Sequence, residues 1–566
     1  MHHHLSLRSK LIIMLSVMAS LFLVALDQTI ISTALGRIVE EFDAFSSLAW
    51  VVTAYLITTT VTTPIAGKLS DLFGRRMILL IGVAIFGLGS LLSGLSADIN
   101  QLIWFRALQG IGGGIITANA FTIVGDLFAA RERGKWQGMI GAVFGIASVI
   151  GPLLGGFLTE SHIILGLTTD WRWTFYINIP VAIIAFAIIA IFCPPLKHAK
   201  KPRIDYLGAS LLTIALTTLI FAVDNTENIF AGVLESTGMS LAALRAILAA
   251  IFAAAVAGFI YVEKRSKEPI LQLEFFKNRN YLLLIGVALS VGAAMLGSIL
   301  YLTQFNQQVY GASPVESGLM LLPMITGLVV SSIVVGNLVS KFGTYKRFMV
   351  GGFAIGAVAI AMLATLTPDT PYIYEAIIMV FVGAGIGVGM PIMNIAVQNE
   401  FDQEHLGMAT SSTQLFRGLG STIGVAVLGS MLTIGITSSI GDMNNDPYIQ
   451  TLRQSPAASQ LLGEGAVSTD TLVSLNMPDT KAKISEGFEA LLAEMQLPEQ
   501  AKEQARQDFA AKQNAYAKQV INAFTESIRT IFIISAGSMA IALALTFALK
   551  ERPLRAARAT ETPGEL

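Results

Sequence analysis

The chain has 566 residues, 54% of them hydrophobic and only 13% charged, with a formal net charge of −1. Soluble domains carry roughly 25% charged residues, so this composition excludes a soluble globular protein, and the neutral balance gives no footing to a nucleic-acid partner. The single cysteine, Cys193, excludes a disulfide framework or a thiolate metal site within one chain.

Apolar runs of about 20 residues recur along the chain and predict an all-α integral membrane protein. About fourteen spans are expected, near 11–34, 48–66, 77–95, 101–126, 136–158, 174–194, 206–223, 242–262, 281–304, 315–339, 347–366, 374–398, 407–436 and 530–549. The first lacks a small-residue cleavage site and reads as a retained helix, not a signal peptide. Even-numbered loops are basic, with Lys68, Arg75 and Arg76, then Arg131, Arg133 and Lys135, except the loop near 399–406, which carries Glu400, Asp402 and Glu404 and no Lys or Arg. Odd-numbered loops are acidic or neutral, as at Glu40, Glu41 and Asp43. This asymmetry predicts a multi-pass protein of the plasma (inner) membrane with both termini cytoplasmic. Trp50, Trp104, Trp171 and Trp173 fall at outer helix ends, where an interfacial belt would place them.

The loop after the second span reads Gly67-Lys-Leu-Ser-Asp-Leu-Phe-Gly-Arg-Arg76, and a weaker copy runs from Gly336 to Arg347. Gly110-Ile-Gly-Gly-Gly114 followed by Asn119 aligns with Gly385-Ile-Gly-Val-Gly389 followed by Asn394. Such matched segments indicate internal duplication. The expected organisation is a six-helix bundle over 1–195, two added helices within 196–270, and a second six-helix bundle over 271–566. Inside the last, residues 438–525 carry Pro447, Pro456, Pro478 and Pro498 and a surplus of acid. From Lys481 to Ala523 the pattern is helical, with Phe488, Leu491, Leu492 and Met495 at amphipathic spacing. By topology this segment faces outward. It is either a solvated cap or a hairpin over the outer mouth that could dock an envelope partner.

Asp27 is the most informative residue for chemistry. It sits deep in the first span, where a carboxylate costs about 2.5–3.5 kcal/mol on insertion scales and faces an interior cavity. Arg106, in the fourth span, is the candidate cation. Both lie roughly 7–11 Å below the outer surface at 1.5 Å per residue, so they can share one layer. Gln109, nearly a turn further on, would lie near the same face. Gln28, Gln109, Asn119, Asn394 and Gln398 are the polar side chains expected at a central cavity, though Asn394 and Gln398 would serve equally as glue between helices. In the fifth span Ala147, Gly151 and Gly155 form a small-residue stripe, with Pro152 adding a kink. Arg417 is expected to snorkel to the inner interface. Asp27 is the only membrane-core acid expected to function. No phosphate-binding Gly-x-x-x-x-Gly-Lys-Ser/Thr loop, His-Glu-x-x-His or Gly-x-Ser-x-Gly occurs, so the expectation is no enzyme, no direct ATP drive and no metal.

Gly67 to Arg76 resembles the signature loop of the major facilitator superfamily. Leu26–Asp27, Arg106–Gly114 and Gly151-Pro152 with Gly155-Gly156 resemble the motifs of its drug:proton antiporters. Trp171 to Pro180 and the span count resemble its fourteen-helix branch, which includes QacA-like and EmrB-like multidrug pumps. The resemblance implies two six-helix bundles around a cavity, plus two inserted helices, exchanging inward protons for outward substrate by alternating access. Asp27 would be the proton-coupling acid and Arg106 would tune its proton affinity. Gly67, Asp71, Gly74, Arg75 and Arg76 would form the cytoplasmic gate, with Asp71 and Arg75 as its latch. Gly151, Pro152, Gly155 and Gly156 would form the flexing contact of antiporters. Gly36 and Ala147 stand where the family often has proline and glycine. Spans ten and thirteen lack the core acids of dication exporters.

The expected cargo is therefore a hydrophobic monocation, a neutral amphiphile or a lipid-like molecule. The expected unit is a monomer that needs a proton gradient and membrane lipid but no cofactor. Two other readings stand beside it: an exporter of lipid or cell-envelope precursors, and a non-transporting sensor or scaffold.

Overall fold

The computed structural model describes residues 6–42, 48–159, 163–164, 167–193, 205–223, 226–402, 405–440, 446–453, 471, 475–476, 478–495 and 498–554. Apart from one two-residue ladder, Ile163–Ile164 with Leu167–Thr168, its regular structure is helical. The long helices are α1 (Leu7–Phe42), α2 (Leu48–Phe73), α3 (Arg75–Gly94), α4 (Ile99–Leu127), α5 (Arg133–Thr159), α6 (Asn178–Phe192), α7 (Tyr206–Val223), α8 (Leu241–Glu263), α9 (Arg279–Gln308), α10 (Leu322–Phe342), α11 (Lys346–Leu363), α12 (Tyr372–Glu400), α13 (Leu406–Ile440) and α14 (Glu499–Ala548). Among the described residues, thirteen helical segments are long and apolar enough to cross a membrane. The fourteenth expected span corresponds to α2, a 26-residue helix.

Local chemistry sets the ends. Asp98 caps α4 by accepting from the Gln101 N–H at 2.9 Å, and Asn278 caps α9 by accepting from Asn280 and Tyr281. Gly74 turns between α2 and α3 at φ 96°, and its duplicate Gly343 sits between α10 and α11 at φ 70°. A side chain is strained at either position.

Two large apolar clusters form the core. One draws on α1, α3, α4, α5 and α6, the other on α9 to α14. The duplicated glycines explain how the helices approach. A Cβ at Gly110 would stand 2.5 Å from the Tyr55 carbonyl oxygen of α2, and one at Gly114 would stand 2.6 Å from that of Thr59. The glycines of α12 allow equally close approach: Gly387 meets the Leu328 carbonyl of α10 and Gly385 meets Gly356 of α11. The α7–α8 pair lies outside both clusters. Leu212, Leu216, Ile220 and Phe259 pack on Ile57 and Val61 of α2 and on Leu415 and Leu419 of α13.

The two sets of six helices meet at the end that carries Gly67–Arg76, here called the basic end. There α2 packs on α13 and α5 on α10. Gly134 and Gly138 of α5 press against Gly336 and the Ser332 carbonyl of α10. Arg131 donates to the Ser340 and Lys341 carbonyls at 3.1 and 2.7 Å. The structure is closed at the basic end.

One expectation is refined and one needs correction. The helical pattern expected over 481–523 falls in two helices. The first is Pro478–Glu494; then come a break before Pro498 and α14, which runs unbroken for 50 residues from outside the membrane into the last span. Proline at 498 permits a helix start but not a helix interior. These helices and Pro447–Arg453 share a small core of Tyr448, Ile449, Leu452, Ile484, Phe509, Tyr516 and Val520, with Phe488 stacked on Phe509 at 4.0 Å. The tryptophan belt is only partial. Trp104 is 74% exposed, but Trp171 is 2% exposed and its indole N–H donates to Glu41 at 2.5 Å.

Candidate functional site

Asp27 lies mid-way along α1, and its side chain is entirely buried. Its Oδ2 accepts from Arg106 Nη1 at 2.5 Å, and its Oδ1 accepts from Gln109 Nε2 at 2.8 Å and Asn178 Nδ2 at 3.2 Å. Asp27 and Arg106 thus share one layer, in the half of the protein away from the basic end. Arg106 also donates to Gln109 Oε1 at 2.8 Å and to the Val51 carbonyl at 3.3 Å, and it lies over the Tyr55 ring at 4.3 Å. Ser90 ties the amides together. It accepts from Gln109 and Asn178 at 3.1 and 3.0 Å and donates to the Phe175 carbonyl at 2.9 Å.

Such a group can hold or release one proton. As an anion, Asp27 is neutralised by Arg106 and fully solvated by neutral donors, which offsets the cost of burying the pair. Protonation removes the charge that fixes Arg106. Asn178, Ser90 and Tyr55 were not among the expected residues. Asn178 lies in the Trp171–Pro180 stretch, and its polarity next to an apolar helix was the available signal.

The expected gate residues converge at the basic end. Arg75, fully buried, pairs with Asp71 and, at 2.7 Å through Nε, with Asp126 of α4. Its Nη1 donates to Ser70 Oγ at 2.5 Å. The other Asp71 oxygen accepts from the Met408 N–H of α13 at 3.0 Å, so the cluster reaches across to the second set of helices. Gly67 faces Ser411 and the Gly407 carbonyl of α13. Gly74 supplies the turn, and Arg76 donates to the Ala190 carbonyl of α6. Lys68 pairs with Glu268, between α8 and α9, at 2.7 Å.

The expected cavity residues do not sit together. Gln28 is exposed, while Gln109 belongs to the Asp27 cluster. Asn119 is buried and donates to the Ile115 carbonyl of its own helix at 2.8 Å. Asn394 and Gln398 lie in the closed seam. Gln398 donates to the Phe121 carbonyl at 3.1 Å, and Asn394 faces Gln137 at 3.5 Å while accepting from Gln414 at 2.9 Å. In α5, Gly151 faces Thr29 of α1, whose hydroxyl donates to the Ala147 carbonyl at 3.1 Å. Pro152 lies near Gly318, Gly156 near Val315, and Gly155 is buried. A second small-residue stripe, Gly134, Gly138, Gly141 and Gly145, faces α10 and was not anticipated.

Two further findings differ from expectation. Arg417 does not snorkel: its Nε and Nη2 both donate to Gln414 Oε1, at 3.1 and 2.7 Å. Asp27 is not the only buried acid. Glu375, in the first turn of α12, is fully buried, and the Asn306 amide, turned so that its NH2 faces the carboxyl, reaches it at 2.8 and 3.2 Å. Its place at a helix start made it look interfacial in the sequence. Among the described residues, no group of three or more His, Cys, Asp and Glu could hold a metal.

The family described as Major Facilitator Superfamily matches residues 17–425. The chain is 37% identical over 482 residues to the multidrug transporter protein MdtP of Bacillus subtilis, covering 83% of this chain and 84% of that one. It is 34% identical to multidrug resistance protein 3 of the same organism, covering 76% and 81%. Among solved structures, the proton:xylose symporter XylE is similar in fold, with a TM-score of 0.51, 18% identity, and coverage of 74% of this chain and 88% of that one.

Proposed function

The chain belongs to the Major Facilitator Superfamily, and from that premise we propose that it is a proton-coupled antiporter exporting hydrophobic or amphiphilic drugs across the plasma membrane. The observation that carries this reading is the Asp27 cluster: one buried carboxylate held by Arg106, Gln109 and Asn178, far from the gate. Its similarity to multidrug transporters supports the cargo class. Loop charges support a cytoplasmic basic end and cytoplasmic termini.

The cycle runs as follows. With the basic end closed, Asp27 takes a proton from outside and cargo leaves. Neutral Asp27 no longer fixes Arg106, so the contact that holds α1 to α4 loosens. The two helix sets rock, the Asp71–Arg75–Asp126 latch opens, and Asp27 loses its proton to the cytoplasm. Cargo then rebinds. One charge crossing 100 mV supplies about 2.3 kcal/mol, enough to drive uphill export. The protein would act as a monomer with protons, lipid and cargo as its partners, and no cofactor enters the cycle.

Efflux of a fluorescent amphiphilic dye from vesicles under an imposed pH gradient tests the proposal. Gradient-independent movement of the dye would overturn proton coupling. A second reading, export of lipid or cell-envelope precursors, is favoured by the folded unit at the far end. Asn476 anchors that unit to the Gln308 carbonyl of α9 at 3.1 Å, placing it where it could pass cargo on or meet an envelope partner. A non-transporting scaffold would have no use for a saturated buried Asp27–Arg106 pair.

A further inference from the structure

Arg417 lies on α13, nine residues beyond Met408 and so about 13 Å from the gate. This places it between the latch and the Asp27 cluster, near mid-membrane. A guanidinium there is costly and is normally neutralised. Arg106 has Asp27, and Arg75 has Asp71 and Asp126. Arg417 has no carboxylate partner among the described residues; its acceptor is the neutral amide of Gln414. Gln414 passes the contact to Asn394, which faces Gln137 of α5, so among the described residues the chain of neutral amides ends without an anion.

The space beside Arg417 is open. It is partly exposed, and a Cβ at the adjacent Gly418 would meet no atom within 4 Å. Gly418 stands two turns beyond Ser411, on the same face of α13. At Ser411 that face presses on Gly67 of α2, whereas at Gly418 it leaves room for a further group. The guanidinium has five N–H donors, and the Gln414 contact leaves three of them uncommitted at the edge of this cleft.

We propose that Arg417 recognises the anionic group, a carboxylate or a phosphate, of an amphiphilic cargo in the cleft between the two helix sets. A planar fork of donors in a low-dielectric cleft binds such groups through paired, charge-assisted hydrogen bonds. The cargo's apolar tail would lie along the surrounding helices. This rests on the transporter reading given above and narrows its cargo toward anionic amphiphiles.

The test is equilibrium binding to the purified full chain in a non-ionic detergent. The probes are dodecanoate, dodecyl phosphate, methyl dodecanoate and dodecyltrimethylammonium, and the proteins are wild type, R417K and R417Q. Wild type should bind the two anions at least tenfold more tightly than the ester and the cation. R417K, which keeps the charge but not the fork, should bind the anions less tightly than wild type, and R417Q should lose the preference, with ester binding unchanged in all three as the sign of an intact cleft. Preference for only one anion would identify carboxylate or phosphate as the group recognised. Equal binding of anion and cation by wild type would overturn the proposal, as would an anion preference that survives in R417Q. If R417Q fails to fold, anion binding by a folded R417K as tight as that of wild type would also overturn it. No gradient is involved, so the result stands or falls separately from proton coupling.

Discussion

The Asp71 carboxylate of α2 accepts a hydrogen bond from the Met408 N–H in the first turn of α13, at 3.0 Å. One acid therefore joins the two helix sets while it pairs with Arg75. An acceptor carboxylate also suits the positive end of a helix dipole.

Asp71→Asn should weaken closure of the basic end by about 1–3 kcal/mol, a 5- to 150-fold shift between states. Arg75 would keep Asp126 but lose its second anionic partner. Ser340→Ala, in the weaker copy, removes only an acceptor for the Lys135 N–H at 3.1 Å. Transport turnover should fall more in D71N than in S340A. Equal effects would reduce both loops to topological anchors.

Gly138→Leu should prevent closure altogether, because a Cβ there runs into the Ser332 carbonyl of α10. Backbone cannot move aside as a flexible side chain can. A cysteine placed at Ser340 should then react faster with a thiol reagent added from the basic end, against a low background because Cys193 is buried. Unchanged reactivity would mean that α5 and α10 separate by another route.

These residues show what the sequence could and could not reveal. The fourteen helical spans and the Asp27–Arg106 layer were legible, because helix length, loop charge and depth along two antiparallel helices follow from simple geometry. The partners were not. Asp126, Asn178 and Met408 come from distant helices, and no spacing rule brings them to Arg75, Asp27 or Asp71. The α5 stripe against α10 was hidden because Gly134 to Gly145 repeats at three and four residues, a period shared with ordinary packing. Glu375 was passed over because an acid in a first turn is usually exposed, and the long α14 because its outer half is polar while its inner half is apolar.

The outer unit should unfold locally when its core is cut. Phe509→Ala removes the ring stacked on Phe488 and costs about 3–5 kcal/mol if the site does not collapse. Amide exchange should quicken across 446–453 and 478–495 while the membrane helices stay protected. Unchanged exchange there would show that the unit is held by its anchors, not its core.

At the far end, Arg172 grips Glu41 at 2.7 Å and joins α1 to the loop before α6. Hydrogen bonds from Arg172, against some burial and with help from Trp171, hold the Glu41 carboxyl below its ordinary value. A depressed carboxyl stabilises the folded state above the unfolded pKa of about 4.3, and that contribution is lost as pH falls through the folded value. Wild type should therefore melt higher than R172Q near neutral pH, by a small margin for an exposed pair, and the difference should vanish in acid. A constant difference would mean that Arg172 acts through packing alone.

The most direct measurement is exchange by the Asp27→Asn variant in reconstituted vesicles with an imposed pH gradient. An asparagine fills the same space and can still accept from Arg106, so the variant should fold and bind cargo. It should lose proton-driven export, since no group at position 27 could then carry the proton. Undiminished gradient-driven export by D27N would contradict the assignment of Asp27 as the coupling acid.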